Sequence, residues 1–261
     1  MNTVICPVDF SPTSLHAAHY AAQLLVGHYG VTLVLYHSYS DTSEAKQATA
    51  DLEKLKEILM KKYIVKMEVL AHHEDDFVDG LERAARHKVA DMIIMGITGK
   101  TALAQVFFGS NTLKMAEKKI CPVLIVPEKA VFEPVKNVML TSDFKSAFNV
   151  TPSGPIKDFL DAFRPQLHIV NVDEDHFISL TEAYEKEKQE LKRLFADYNP
   201  EFYFMRLYDV DEALNLFAET RNIDMIIMIQ KDRSFIEKVL KGSRTKKLTY
   251  QSKVPILVVH E

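Results

Sequence analysis

Asp91-Met92-Ile93-Ile94-Met95-Gly96-Ile97-Thr98-Gly99 reads as an apolar strand running into a glycine turn. Met92 to Met95 is apolar at every position. A strand covered on both faces requires this, and such strands belong to parallel sheets wrapped by helices. After nine intervening residues stands Gly109-Ser110, which opens an amphipathic segment running to Lys119. Strand, glycine loop and helix start form the arrangement that gathers backbone N–H groups around a phosphate.

The same frame occurs twice. Asp91-Met-Ile-Ile-Met95 recurs as Asp224-Met-Ile-Ile-Met228, Gly109-Ser110 as Gly242-Ser243, and Cys121-Pro-Val-Leu-Ile-Val126 as Val254-Pro-Ile-Leu-Val-Val259. Val8-Asp9-Phe10-Ser11 has its counterpart in Ser142-Asp143-Phe144-Lys145. These landmarks share one offset of about 130 residues, a typical domain size and far too long for a solenoid repeat. The expectation is a duplicated domain, residues 1–130 and 135–261, with a polar, proline-containing junction near Glu128 to Pro134.

Each half alternates strand and helix patterns. In the first, strands are predicted at Thr3–Val8, Val31–His37, Ile64–Leu70, Asp91–Gly96 and Val123–Val126. Helices are predicted near Ser14–His28, Ser43–Lys62, Asp76–Lys88 and Ser110–Lys119. Ser11 suits an N-cap with Pro12 at the first helical position. In the second, strands are predicted near Asn137–Ser142, Gln166–Val172, Glu201–Leu207, Asp224–Ile229 and Pro255–Val259. This alternation implies right-handed crossovers and an α/β fold: two tandem, open, five-stranded parallel sheets with helices on both faces.

Composition narrows the function classes. A net charge of -4 over 261 residues gives no basic field for nucleic acid. The two cysteines, Cys6 and Cys121, lie in apolar runs and read as buried free thiols. No apolar run approaches membrane-spanning length, and the first residues lack a secretory pattern. The expected location is cytoplasmic, with no membrane partner.

In open parallel sheets, ligands bind outside the carboxyl ends of the strands. Gly96, Gly99 and Gly109 fall at that edge, where glycine lets backbone approach a polyphosphate. Ser110 and Thr112 offer hydroxyls, and the N–H groups of Ser110, Asn111 and Thr112 sit at a positive helix end. Asp9, past the first strand, is placed to accept from an adenine amine or a ribose hydroxyl, or else to favour the helix start. A P-loop is excluded, since Ile94 occupies the position of its first glycine; no Gly-x-Gly-x-x-Gly follows the first strand. His72-His73-Glu74-Asp75-Asp76 has metal-ligand residue types, but adjacent residues of an extended segment point apart, and acidic residues suit a helix start. His16, His19 and His28 on the first helix have no carboxylate or Cys cluster beside them, and no catalytic elbow or zinc motif appears.

With these residues in view, the chain resembles the universal stress protein family in its tandem form. The family's ATP-binding members carry Gly-x2-Gly-x9-Gly-(Ser/Thr), which Gly96, Gly99, Gly109 and Ser110 match without gaps. Val8-Asp9-Phe10-Ser11 and Cys121 to Val126 match its flanking landmarks. The resemblance implies a Rossmann-like, adenine nucleotide alpha-hydrolase-like fold holding ATP, with Mg2+ or Mn2+. It implies that Pro7, Val8, Asp9 and Ser38 line the adenosine pocket, and that Met95, Gly96, Gly99, Gly109, Ser110, Asn111 and Thr112 hold ribose and phosphates. It further implies a regulatory stress-response role, domains paired through their last strands, a possible homodimer and an unidentified protein partner. Catalytic residues are not expected.

The second half departs from this pattern. Ile229 and Asp232 replace the first two glycines and Thr141 replaces Pro7, while Asp143, Gly242 and Ser243 remain. Lys231, Arg233, Lys238, Lys241, Arg244, Lys246 and Lys247 crowd the same region, as a solvated helical face or as contacts for a different anion or acidic partner. One nucleotide per chain is expected, in the first half. The alternatives are a weak ATPase or phosphotransfer enzyme, and a nucleotide-free interaction module.

Overall fold

The computed structural model describes residues 1–97, 110–142, 144, 151–173, 182–206, 210–230 and 253–260. It divides into two compact units, Met1–Phe132 and Glu133–Glu261.

Among the described residues, unit 1 runs β1 (Thr3–Pro7), α1 (Pro12–Leu24), β2 (Thr32–Tyr39), α2 (Ala45–Met60), β3 (Lys66–His73), α3 (Phe77–His87), β4 (Met92–Ile97), α4 (Ser110–Glu117) and β5 (Val123–Pro127). The strands lie in the order β3-β2-β1-β4-β5, each pair parallel. The chain leaves β1 first toward β2 and later crosses to β4, so the switch point lies between β1 and β4. Its crevice opens at their carboxyl ends. Val4, Ile5, Cys6, Ile93 and Ile94 are fully buried in the two central strands. Small residues Ala17, Ala18, Ala21 and Ala22 are buried along α1, which lets this helix lie close to the sheet.

Unit 2 repeats the plan with β6 (Asn137–Thr141), α5 (Ser153–Phe163), β7 (Gln166–Asp173), α6 (Glu182–Leu194), β8 (Glu201–Arg206), α7 (Val210–Thr220), β9 (Met225–Gln230) and β10 (Ile256–His260). Its order is β8-β7-β6-β9-β10, again parallel. Tyr184 of α6 meets Phe204, whereas Phe217 of α7 meets the adjacent Tyr203. Neighbouring strand residues face opposite ways, so α6 and α7 cover opposite faces.

The duplicated aspartate has a structural role in both units. Asp91 Oδ2 accepts from the N–H groups of Asn2 and Thr3 at 2.6 and 2.8 Å. Asp224 Oδ2 accepts from Lys136 and Asn137, both at 2.8 Å. Each carboxylate thereby satisfies the amides where the central strand enters the sheet.

Element ends differ from expectation where tertiary pairing outlasts the apolar pattern. β2 and β3 continue in register through Ser38↔His72 and Tyr39↔His73, so polar residues predicted as loop lie in strand. α1 starts at Pro12 and stops at Leu24 rather than His28, ahead of Gly27 with φ +88. Both cysteines are free and buried, and burial pushes each thiol up to about 12.

Candidate functional site

The carboxyl edge of unit 1 is built by three segments. In the first, β1 ends at Pro7 and Val8 N–H still donates to Tyr36 O at 2.7 Å. Val8 is buried, Asp9 is exposed, and Phe10 takes φ +62. That left-handed conformation turns the chain sharply into α1. Ser11 caps α1, its hydroxyl accepting from Ser14 N–H at 3.2 Å, with Pro12 next. Asp9 Oδ1 accepts from Ser11 N–H at 3.0 Å, an Asx turn. Partial desolvation by its neighbours raises the Asp9 carboxyl, but hydrogen bonds with Ser11 and Ser14 outweigh it and hold the group below its ordinary value. Asp9 therefore stays ionised and oriented beside the crevice, and it also supports the helix start.

The second segment is the end of β2. Ser38 is half-buried and pairs in register with His72. His37, which carries none of the expected site roles, places Nδ1 2.6 Å from Val8 O, and its ring lies 5.1 Å from that of Phe10.

The third is the end of β4 with the start of α4. Met95 is buried and Gly96 half-buried. A Cβ added at Gly96 would stand 2.6 Å from Thr13 O and 2.7 Å from Thr13 Cγ2, in the first turn of α1. Thr112, only 3% exposed, donates its hydroxyl to Gly96 O at 3.0 Å. Gly96 is thus where the amino-terminal turns of two helices meet the end of a central strand. Gly96 has a packing reason to lack a side chain, beside any approach to a phosphate. The Thr112 hydroxyl ties the start of α4 to the end of β4. Ser110 begins α4 and Asn111 is exposed. Gly99 and Gly109 lie outside the described residues.

The histidine-acidic stretch separates into distinct local contacts. His73 Nε2 lies 3.0 Å from Ser40 O, while His72 Nδ1 lies 3.1 Å from Glu74 Oε1. Asp76 caps α3, accepting from Asp79 N–H at 2.9 Å. Glu74 is no helix-start carboxylate: it is buried, paired with Arg83, and tucked where a Cβ on Gly80 would lie 2.5 Å from its Cγ. Among the described residues, no three or more His, Cys, Asp or Glu side chains gather as a metal site.

Unit 2 carries an aromatic cluster after its first strand. Phe144 repeats the left-handed bend of Phe10, at φ +50, but is buried. Its ring packs 4.9 Å from Tyr184 and within 6.3 Å of Phe202 and Phe204. By register these β8 phenylalanines stand where β3 has Val69 and Ala71. Ile229, in the place of Gly96, is 8% exposed, and Thr141 Oγ1 lies 3.4 Å from Ile227 O. Asp143, Asp232, Gly242, Ser243 and the basic residues between 231 and 247 lie outside the described residues.

An open, switch-point α/β unit built twice, with helix starts at its carboxyl edge, defines a tandem Rossmann-like fold. The chain belongs to the universal stress protein family, which matches residues 1–127 and 163–260. A universal stress protein of Methanocaldococcus jannaschii is 28% identical over 138 residues, covering 47% of this chain and 80% of that protein. One of Thermus aquaticus is 28% identical over 134 residues, covering 48% and 97%. A solved universal stress protein of Archaeoglobus fulgidus shares the fold along 99% of this chain and 98% of its own, with TM-score 0.67 and 18% identity. Among the described residues, no helix is long and apolar enough to cross a membrane.

Proposed function

We propose that unit 1 binds one ATP per chain, as a nucleotide-responsive regulator in stress physiology, and that unit 2 has given up this ligand. The observation that carries the reading is the meeting of α1 and α4 at Gly96. Both helices direct their amino-terminal turns to the end of β4, beside the switch point. Two positive dipole ends at one place favour a polyanion. Asp9 and Ser38 border the same edge and suit the adenosine part; Ser110 and Asn111, with Gly99 and Gly109 of the sequence motif, suit the phosphates. A divalent Mg2+ or Mn2+ would be held chiefly through phosphate oxygens, with Asp9 the carboxylate at the end of β1. The ion would offset the charge of the triphosphate.

Isothermal titration of the full chain with ATP and Mg2+, beside mass spectrometry of any ligand co-purifying with it, tests the reading. One site per chain is expected. Two equivalent sites, or no uptake with no nucleotide carried through purification, overturn it. Turnover above that of a Gly109→Ala variant would assign hydrolysis as well.

A further inference from the structure

The peptide group joining Val8 to Asp9 is held at both ends. Its carbonyl, Val8 O, lies 2.6 Å from His37 Nδ1 on β2. Its N–H, that of Asp9, donates to Ser14 Oγ on α1 at 3.2 Å. This peptide stands where the strands part: β1 pairs with β2 only as far as Pro7↔Tyr36, while β2 continues beside β3 to Tyr39↔His73. A carbonyl oxygen can only accept, so Nδ1 of His37 carries a proton whatever the charge of the ring. The next residue, Phe10, has φ +62, a conformation that non-glycine residues seldom take unless their surroundings enforce it.

Unit 2 keeps the same device with another side chain. Asn171 Nδ2 donates to Ser142 O at 2.9 Å, Ser142 N–H donates to Val170 O at 3.0 Å, and Phe144 has φ +50. An imidazole and a carboxamide share little except an N–H that reaches this carbonyl. Their equivalence selects the donated hydrogen bond as the property retained.

We propose that His37 is a positioning residue of the unit 1 nucleotide site. It fixes the Val8–Asp9 peptide plane and thereby the direction in which Asp9 presents its carboxylate to the ligand. The proposal rests on the reading of unit 1 as an ATP site. It assigns His37 no contact with ATP, and its effect passes through Asp9.

The test measures ATP affinity of the full chain by titration, with thermal midpoints alongside. His37→Leu removes the donor and should weaken binding about five- to tenfold, the range of one lost hydrogen bond. His37→Asn installs the donor that unit 2 uses and should stay within about twofold of wild type. In an Asp9→Ala background, His37→Leu should cost no further affinity, because a residue acting through Asp9 has nothing left to orient. Undiminished binding by His37→Leu overturns the proposal, as does an equal loss in the presence and absence of Asp9. Wild-type protein that binds no ATP overturns the nucleotide reading itself, and this proposal with it. Should His37→Leu fail to fold, 15N NMR of the wild-type imidazole decides: protonated Nδ1 is expected, and an unprotonated Nδ1 overturns the clamp.

Discussion

Gly96 carries two constraints at once, and its substitution separates them. A Cβ there meets the backbone of Thr13 at 2.6 Å, and backbone at a capped helix start cannot swing aside as a side-chain tip can. Gly96→Ala should therefore displace the first turn of α1 and destabilise the protein by about 1–3 kcal/mol, the range for overpacking a filled site. Thr112→Val removes the hydroxyl bond to Gly96 O at nearly constant volume and should cost about 1 kcal/mol. Urea denaturation of both variants checks these values; a Gly96→Ala protein as stable as wild type would show that the helix start has room. The sequence made Gly96 legible as a glycine at the ligand edge, and Ser11 and Pro12 legible as a helix start. It did not reveal that Thr13 is the neighbour that excludes a side chain, because that contact joins segments more than eighty residues apart. His37 escaped notice for a related reason. Its partner is a backbone carbonyl, which has no signature in the sequence, and only comparison with Asn171 at the equivalent repeat position exposes the shared donor.

Among elements, β7 carries a buried histidine where its counterpart β2 carries a valine. His168 pairs in register with Met139 of β6, as Val34 of β2 pairs with Ile5 of β1. His168 is buried; Nε2 lies 3.4 Å from Asn137 Oδ1, and Nδ1 lies 3.6 Å from Glu201 Oε2. Tyr203 and Phe217 pack against its ring, and the Arg221 guanidinium lies 4.9 Å from the Tyr203 ring centre. Desolvation is the largest influence and lowers the His168 pKa; Glu201 opposes it and Arg221 reinforces it. The sign follows from proton counting. Below the unfolded value of about 6.5, the unfolded chain takes up a proton that the native imidazole refuses, so stability falls with falling pH. The loss levels off once pH passes below the lowered native value. His168→Val, which copies β2, should remove this part of the slope while leaving other titrating groups in place. Urea midpoints for both proteins at pH 7.5 and pH 5 test it; parallel declines would assign the acid sensitivity elsewhere. Strand patterns reveal that β7 is buried, but not that burial lowers the pKa of a histidine inside it. That property arises from α7 and β8, which cover it from two sides.

For the whole molecule, duplication preserved the frame and changed the edge. Both units have the same strand order, the same aspartate clamp on the entering central strand, and the same left-handed phenylalanine after it. These shared features account for why the fold was legible: a nearly constant offset aligned the first, fourth and fifth strands of the two halves. The edges diverged where short-range pattern is silent. Phe202 and Phe204 read in sequence as ordinary β residues, yet with Phe144 and Tyr184 they form one aromatic cluster, where unit 1 has Val69 and Ala71. A ligand that binds the native state of one unit stabilises it by mass action, by about 2.7 kcal/mol at a hundredfold excess over Kd. Hydrogen exchange of the full chain with saturating ATP and Mg2+ should accordingly slow amides around β1, β4 and α4, within Met1–Phe132. Amides at the ends of β6 and β9 should exchange as they do without nucleotide. Equal protection of both sets would mean that the aromatic block yields to a ligand. Protection limited to unit 2 would invert the division of labour between the two copies. Opening the block by Phe144→Ala with Phe204→Ala should leave ATP stoichiometry at one per chain, because Ile229 still stands in the place of Gly96.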